Sequence, residues 1–166
     1  MTFFTQQFVI SIISSFIISM GFGVLLKINP RHLLWAGICG LLTYLAYYTV
    51  EYFEASLFAA AFVSAVVTAL FAEIMARVLR APAIIYLLTG VVPTVPGSDL
   101  YYTMKLLMMG NNADSLASLL KAISVGLGIA GGIVTVSMLS SLLLVAIKRI
   151  KKNRAKQITI RDKSNI

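Results

Sequence analysis

Charged residues are scarce in this chain. They make up 12% of its 166 residues, against 59% that are hydrophobic. That balance lies outside the range of water-soluble domains and excludes a soluble enzyme in favour of an integral membrane protein; the mean hydropathy of +0.91 agrees. The single cysteine, Cys39, can form no intramolecular disulfide and reads as a small apolar residue within a span. The single histidine, His32, sits in a turn, where an interface role is favoured over a proton relay. Metal-ligand spacing, a GxSxG elbow and a phosphate-binding loop are all missing, so no catalytic residue, metal or cofactor is expected. The net charge of +8 arises mostly after Ile147 and describes a tail. It does not alternate with stacking aromatics, so nucleic acid is not expected as a partner.

Long apolar runs fill the rest. Phe8 to Leu26 follows a start without basic residues and is longer than a signal-peptide core, so it reads as a first span. Its Ser11, Ser15, Ser19 and Gly23 recur every fourth residue, a small stripe suited to close helix packing in a membrane. After a polar turn from Lys27 to His32, Leu33 to Val50 forms a second span with Trp35, Tyr44, Tyr47 and Tyr48 toward its ends, as interfacial aromatics often are. Ala55 to about Ala76 forms a third, past Glu51 and Glu54. Ala61, Ala65, Ala69, Glu73 and Arg77 share one face of it, ending in an acid with a base one turn later. The last span runs from Leu116 or Leu119 to Ile147 and contains Gly128 and Gly132, a GxxxG match that favours close packing. A polar turn, Gly110 to Ser115, precedes it, with Asp114 or Ser115 as the helix-starting residue.

Between the third and last spans lies Ala83 to Met109, apolar enough for a bilayer yet carrying Gly90, Pro93, Pro96, Gly97 and Asp99 near its centre. Proline lacks the helix donor and clashes with the preceding turn, so the spacing predicts a broken span. A backbone opened in hydrocarbon must be satisfied by protein or by water in a cavity. A re-entrant hairpin is the alternative, and charge bias favours the crossing. With the N-terminus outside and five crossings, 12 of the 14 basic residues fall on the cytoplasmic side, as the positive-inside rule expects. The expected fold is an all-α polytopic membrane helix bundle of about five spans, the fourth broken. Residues 1–147 form the membrane domain. Residues 148–166, with eight basic side chains and one acid, form a cytoplasmic tail, partly disordered and attracted to anionic lipid.

At the break, Ser98 is expected as an N-cap and Asp99 as a first-turn residue, with free N–H groups from about Asp99 to Tyr101. Such ends face anionic substrate groups in transporters with discontinuous helices, and the freed carbonyls face cations. Tyr101, Tyr102 and Thr103 add hydroxyls within a turn. Glu73 and Asp99 are the candidate proton-coupling carboxylates.

The stretch Arg80, Ala81, Pro82, Ala83, then Gly90 to Ser98 with the sequence GVVPTVPGS, followed by Tyr101 to Met104, resembles the signature of the threonine/serine exporter family. The likeness is to its small five-span subunits, in span layout over nearly the whole chain. It implies a carrier for small metabolites, threonine and serine or a dicarboxylate such as succinate, driven by the proton motive force. It also implies a larger, separately encoded family subunit as partner; that subunit's hydrolase-like N-terminal motifs are absent from this sequence, so this chain is not expected to transport alone. By that resemblance Pro93, Pro96, Gly97 and Ser98 carry the motif. The expectation is a subunit of a proton-coupled exporter in the inner membrane, assembled as a homo- or hetero-oligomer. The competing expectation is a non-transporting membrane scaffold that assembles a partner transporter, motivated by the small-residue stripes.

Overall fold

The fold was described from a computed structural model that covers the backbone of residues 2–54 and 56–164 and the side chains of 8–54 and 56–142. The helices are α1 (Thr2–Leu25), α2 (Pro30–Tyr52), α3 (Leu57–Leu79), α4 (Ala83–Val91), α5 (Gly97–Met108) and α6 (Asn112–Ser164), with a single 3-10 turn at Val92–Thr94 between α4 and α5. The helix ends follow local chemistry. Pro30 opens α2 behind Asn29, whose side chain accepts from the Arg31 N–H at 3.3 Å. The Ser56 hydroxyl accepts from the Ala59 N–H at 3.3 Å and caps α3. At α6 the cap is Asn111, one turn earlier than the expected Asp114 or Ser115: its carboxamide donates to Asp114 at 2.6 Å and accepts the Asp114 N–H at 3.5 Å. Asparagine is as good a cap as either, and the freed Ser115 is buried and donates to the Thr103 carbonyl of α5 at 2.8 Å.

Small residues set the packing. Ser15, Ser19 and Gly23 of α1 are buried, and the first two meet Gly40 of α2. Between α2 and α3 the Thr43 and Thr68 hydroxyls lie 2.6 Å apart. Helix α4 wedges against both at Gly90, where an added Cβ would stand 2.5 Å from the Cys39 sulfur and 2.8 Å from Thr68 Cγ2. On the other side of α3, a Cβ on Gly128 would come within 2.7 Å of the Phe58 carbonyl, and one on Gly132 within 2.6 Å of that of Phe62. The GxxxG match is therefore a seam between α6 and α3, opposite Ala61 and Ala65, where packing rather than water exclusion holds helices together.

That seam fixes the direction of α6. Ser140 donates to Glu73 across a separation of 67 residues, and the same separation relates Gly128 to Ala61 and Gly132 to Ala65. Constant offset means that α6 runs parallel to α3, so α4, the 3-10 turn and α5 together carry the chain from one end of the bundle to the other. The four long helices are each apolar enough to span, and the pair α4 and α5, bent by 49°, makes the fifth when counted as one. The crossing, not the re-entrant hairpin, is what the helix directions require. One end then gathers Lys27, Arg31, Arg77 and Arg80, and the other Glu51, Glu54 and Asp114. The backbone of α6 stays helical through Ser164 where partial disorder was expected; the tail's basic side chains lie outside the described residues.

Candidate functional site

The interruption falls where the prolines place it. Helix α4 enters from the basic end, and Gly90 reaches the level of Cys39 and Thr68, midway along α2 and α3. The 3-10 turn follows, with Pro93 inside it and Thr94 buried. The Thr94 hydroxyl donates to the Val91 carbonyl at 2.9 Å, an acceptor that the Val95 N–H passes over for Val92. Val95 is extended, with φ −64° and ψ 129°, as a residue before proline prefers. Pro96 then takes φ −77° and ψ 57°, and α5 leaves at an angle.

The first turn of α5 differs from expectation in one respect. The helix opens at Gly97 with Pro96 in the cap position and no side-chain cap bond, so Ser98 lies inside the first turn and is not the N-cap. The Gly97 N–H turns back to the Val95 carbonyl at 2.7 Å and the Leu100 N–H to that of Pro96 at 3.2 Å. This moves the free donors one residue earlier: among the described residues, the N–H groups of Ser98 and Asp99 have no backbone acceptor. Gly97 and Ser98 are exposed and Asp99 half-buried. Nothing stands within 4 Å of a Cβ built on Gly97, so glycine there does not serve packing within the chain.

The other predicted residues are spread along the bundle. Tyr101 and Tyr102 form an edge-on pair with ring centroids 5.7 Å apart and are 64% and 52% exposed. The Thr103 hydroxyl donates to the Asp99 carbonyl of its own helix at 2.7 Å. Asp99 stands half-buried in the first turn of α5. Glu73 belongs to the other half: it pairs with Arg77 at 3.2 Å and accepts from Ser140 at 3.2 Å. The two carboxylates are therefore not brought together.

Two polar features escaped the sequence reading. The first is a buried seam at mid-bundle. Thr43 also approaches the Cys39 carbonyl at 2.8 Å and Thr68 that of Ser64 at 2.7 Å, so two hydroxyl protons serve three short contacts; Thr89 of α4 is buried toward Gly23 of α1 instead. Thr43 and Thr68 each sit in an apolar helix with no motif around them; their placement on facing sides of α2 and α3 was the available signal. The second is the 2.6 Å hydrogen bond between Tyr86 and His32 Nδ1, which ties α4 to the start of α2. A further detail is Ser19, whose buried hydroxyl has no partner among the described residues. Those residues include no group of three or more His, Cys, Asp and Glu side chains placed to hold a metal.

Comparison with known proteins bears on one point and is silent on two. None of the curated proteins and none of the solved structures matches the chain. The family model described as threonine/serine exporter, ThrE, matches residues 11–139, which takes in α1 to α5 and most of the spanning part of α6. That range contains the Pro/Gly interruption, the glycine seam and both carboxylates. The match covers well over half of the chain, and on its strength this multi-pass bundle of apolar helices belongs to the threonine/serine exporter family, a family of membrane exporters.

Proposed function

We propose that this chain is one subunit of a secondary, proton-coupled exporter of small metabolites, threonine and serine or a dicarboxylate such as succinate, with the break from Pro93 to Ser98 as the substrate passage. The observation that carries the reading is the interruption itself, inside a chain of an exporter family. The N–H groups of Ser98 and Asp99 suit a carboxylate and the freed carbonyls of the turn suit an ammonium group, the two ends of an amino-acid zwitterion. Ionised, Asp99 repels a substrate carboxylate from the donors beside it; protonated, it does not, which links proton and substrate occupancy at one residue. Pro93, Pro96 and Gly97 keep the turn open, and Tyr101 and Tyr102 offer hydroxyls where a partner meets α5. Glu73, held at the opposite end, serves as a second carboxylate on a proton route. The orientation follows the basic residues, with the N-terminus outside, the C-terminus cytoplasmic and the basic tail on the inner-membrane surface.

A partner is part of this reading. Helix α5 has no buried residue, and Met104, Leu107, Met108 and Met109 are 55–88% exposed along it. The larger family subunit is the proposed cover. In cells deleted for both subunits and fed threonine dipeptides, expression of the pair lowers intracellular threonine or serine, or succinate in the dicarboxylate case. Unchanged levels of all three contradict the proposal.

The same open face favours a second reading, a non-transporting scaffold that assembles the partner. Gly97→Leu separates them, because the isolated chain has room for the side chain. Assembly retained with export lost supports the passage; export retained supports the scaffold.

A further inference from the structure

At the basic end of the bundle the α1–α2 turn and the α3–α4 turn lie side by side and enclose a cleft of about 370 Å3. Lys27, Asn29 and His32 from the first turn and Arg80 from the second form a polar rim, while Ile84 and Leu88 of α4 give an apolar wall that is 54% and 45% exposed. Helix α2 starts at Pro30 and α4 at Ala83, so the positive ends of two helix dipoles face the same space. The cap of α4, Pro82, makes no side-chain cap bond. Arg77 is paired with Glu73, whereas Lys27 and Arg80 have no acidic partner among the described residues. Both stand at left-handed backbone positions, φ 54° and 51°, a conformation in which asparagine or glycine is less strained. The Tyr86 hydrogen bond holds the His32 ring at the rim.

Unpaired positive charge, two helix N-termini and an apolar wall running toward the middle of the bundle call for an amphiphile with an anionic head, not for a free ion. We propose that this cleft binds an anionic phospholipid, its phosphate between Lys27 and Arg80 before the first turn of α4 and its acyl chain along Ile84 and Leu88. Basic pockets between spans at a cytoplasmic end are suited to such headgroups. The site is separate from the basic tail and independent of the transport reading.

Native mass spectrometry of the full-length protein in detergent, titrated with phosphatidylglycerol, phosphatidylcholine or glycerol 3-phosphate, tests it. Phosphatidylglycerol is expected to bind well above phosphatidylcholine, and glycerol 3-phosphate at equal concentration not to displace it. Lys27→Asn with Arg80→Asn, substitutions that left-handed backbone tolerates, should weaken phosphatidylglycerol on the order of tenfold to thirtyfold, from ~1 kcal/mol per basic residue. Lys105→Asn with Lys121→Asn at the other end should change it less than about twofold on the same basis. Equal binding of the two lipids, full displacement by glycerol 3-phosphate, or an unaffected double variant at Lys27 and Arg80 overturns the proposal. If that double variant does not fold, Lys27→Asn and Arg80→Asn are read singly, each expected to weaken phosphatidylglycerol about fivefold with no change at either position overturning the proposal, and Lys27→Arg with Arg80→Lys, which keeps the charge, should retain binding.

Discussion

Single atoms decide much of this bundle, because its helices meet through residues with almost no side chain. Gly90 is a case in which three helices meet: its missing Cβ leaves room for the Cys39 sulfur at 2.5 Å and Thr68 at 2.8 Å. Gly90→Ala should destabilise by about 1–3 kcal/mol, read as a lowered Tm in detergent. Gly21→Ala, with nothing within 4 Å, should be neutral or gain up to about 1 kcal/mol of helix propensity. Equal effects at the two positions contradict the wedge. The Thr43 and Thr68 hydroxyls, 2.6 Å apart, should couple by about 0.6 kcal/mol and no more than about 1.7 in a Thr→Val double-mutant cycle, the range found for hydrogen bonds between membrane helices; zero coupling removes the seam from the account. The small stripes of α1 and α3 were legible in the sequence because their period is that of the helix and their partners are equally small. The threonines were not, because a hydroxyl in an apolar helix usually bonds its own backbone, as Thr89 and Thr103 do. Nothing local marks the one that also reaches a neighbour.

Elements pair by what their faces leave open. Along α6, Gly128 and Gly132 lie against the carbonyls of Phe58 and Phe62, backbone atoms that cannot rotate away. Gly128→Leu should therefore separate α6 from α3, with loss of folded protein on size exclusion in detergent. Gly126→Leu, facing open space, should leave the elution profile unchanged; the same loss at both positions argues against the seam. The broken span was legible from Pro93 and Pro96 alone, since proline removes a helix donor wherever it falls. Which residue caps α5 was not, because Gly97 turns its N–H back to Val95 and so starts the helix before Ser98 can cap it. Nor could sequence tell whether Glu73 and Asp99 meet. That depends on the direction of α6 and the level at which α4 opens, and these follow from pairings far apart in the chain.

The whole molecule has two unlike ends. Lys27, Arg31, Arg77 and Arg80 gather at one, and Glu51, Glu54, Asp99 and Asp114 lie toward the other. Charge bias along the sequence predicted this arrangement, and the parallel course of α3 and α6 bears out the crossing behind it. The central claim is that the opened span meets water and substrate between those ends. Cys39 is 0% exposed, so the native chain should not react with a membrane-impermeant thiol reagent, and Ser98→Cys places one reporter at the break. In cells that also make the proposed larger partner subunit, Ser98→Cys should be modified, modification should stop export, and threonine, serine or succinate should slow the reaction. A Ser98→Cys chain that stays unmodified, or one whose modification leaves export unchanged, contradicts the claim.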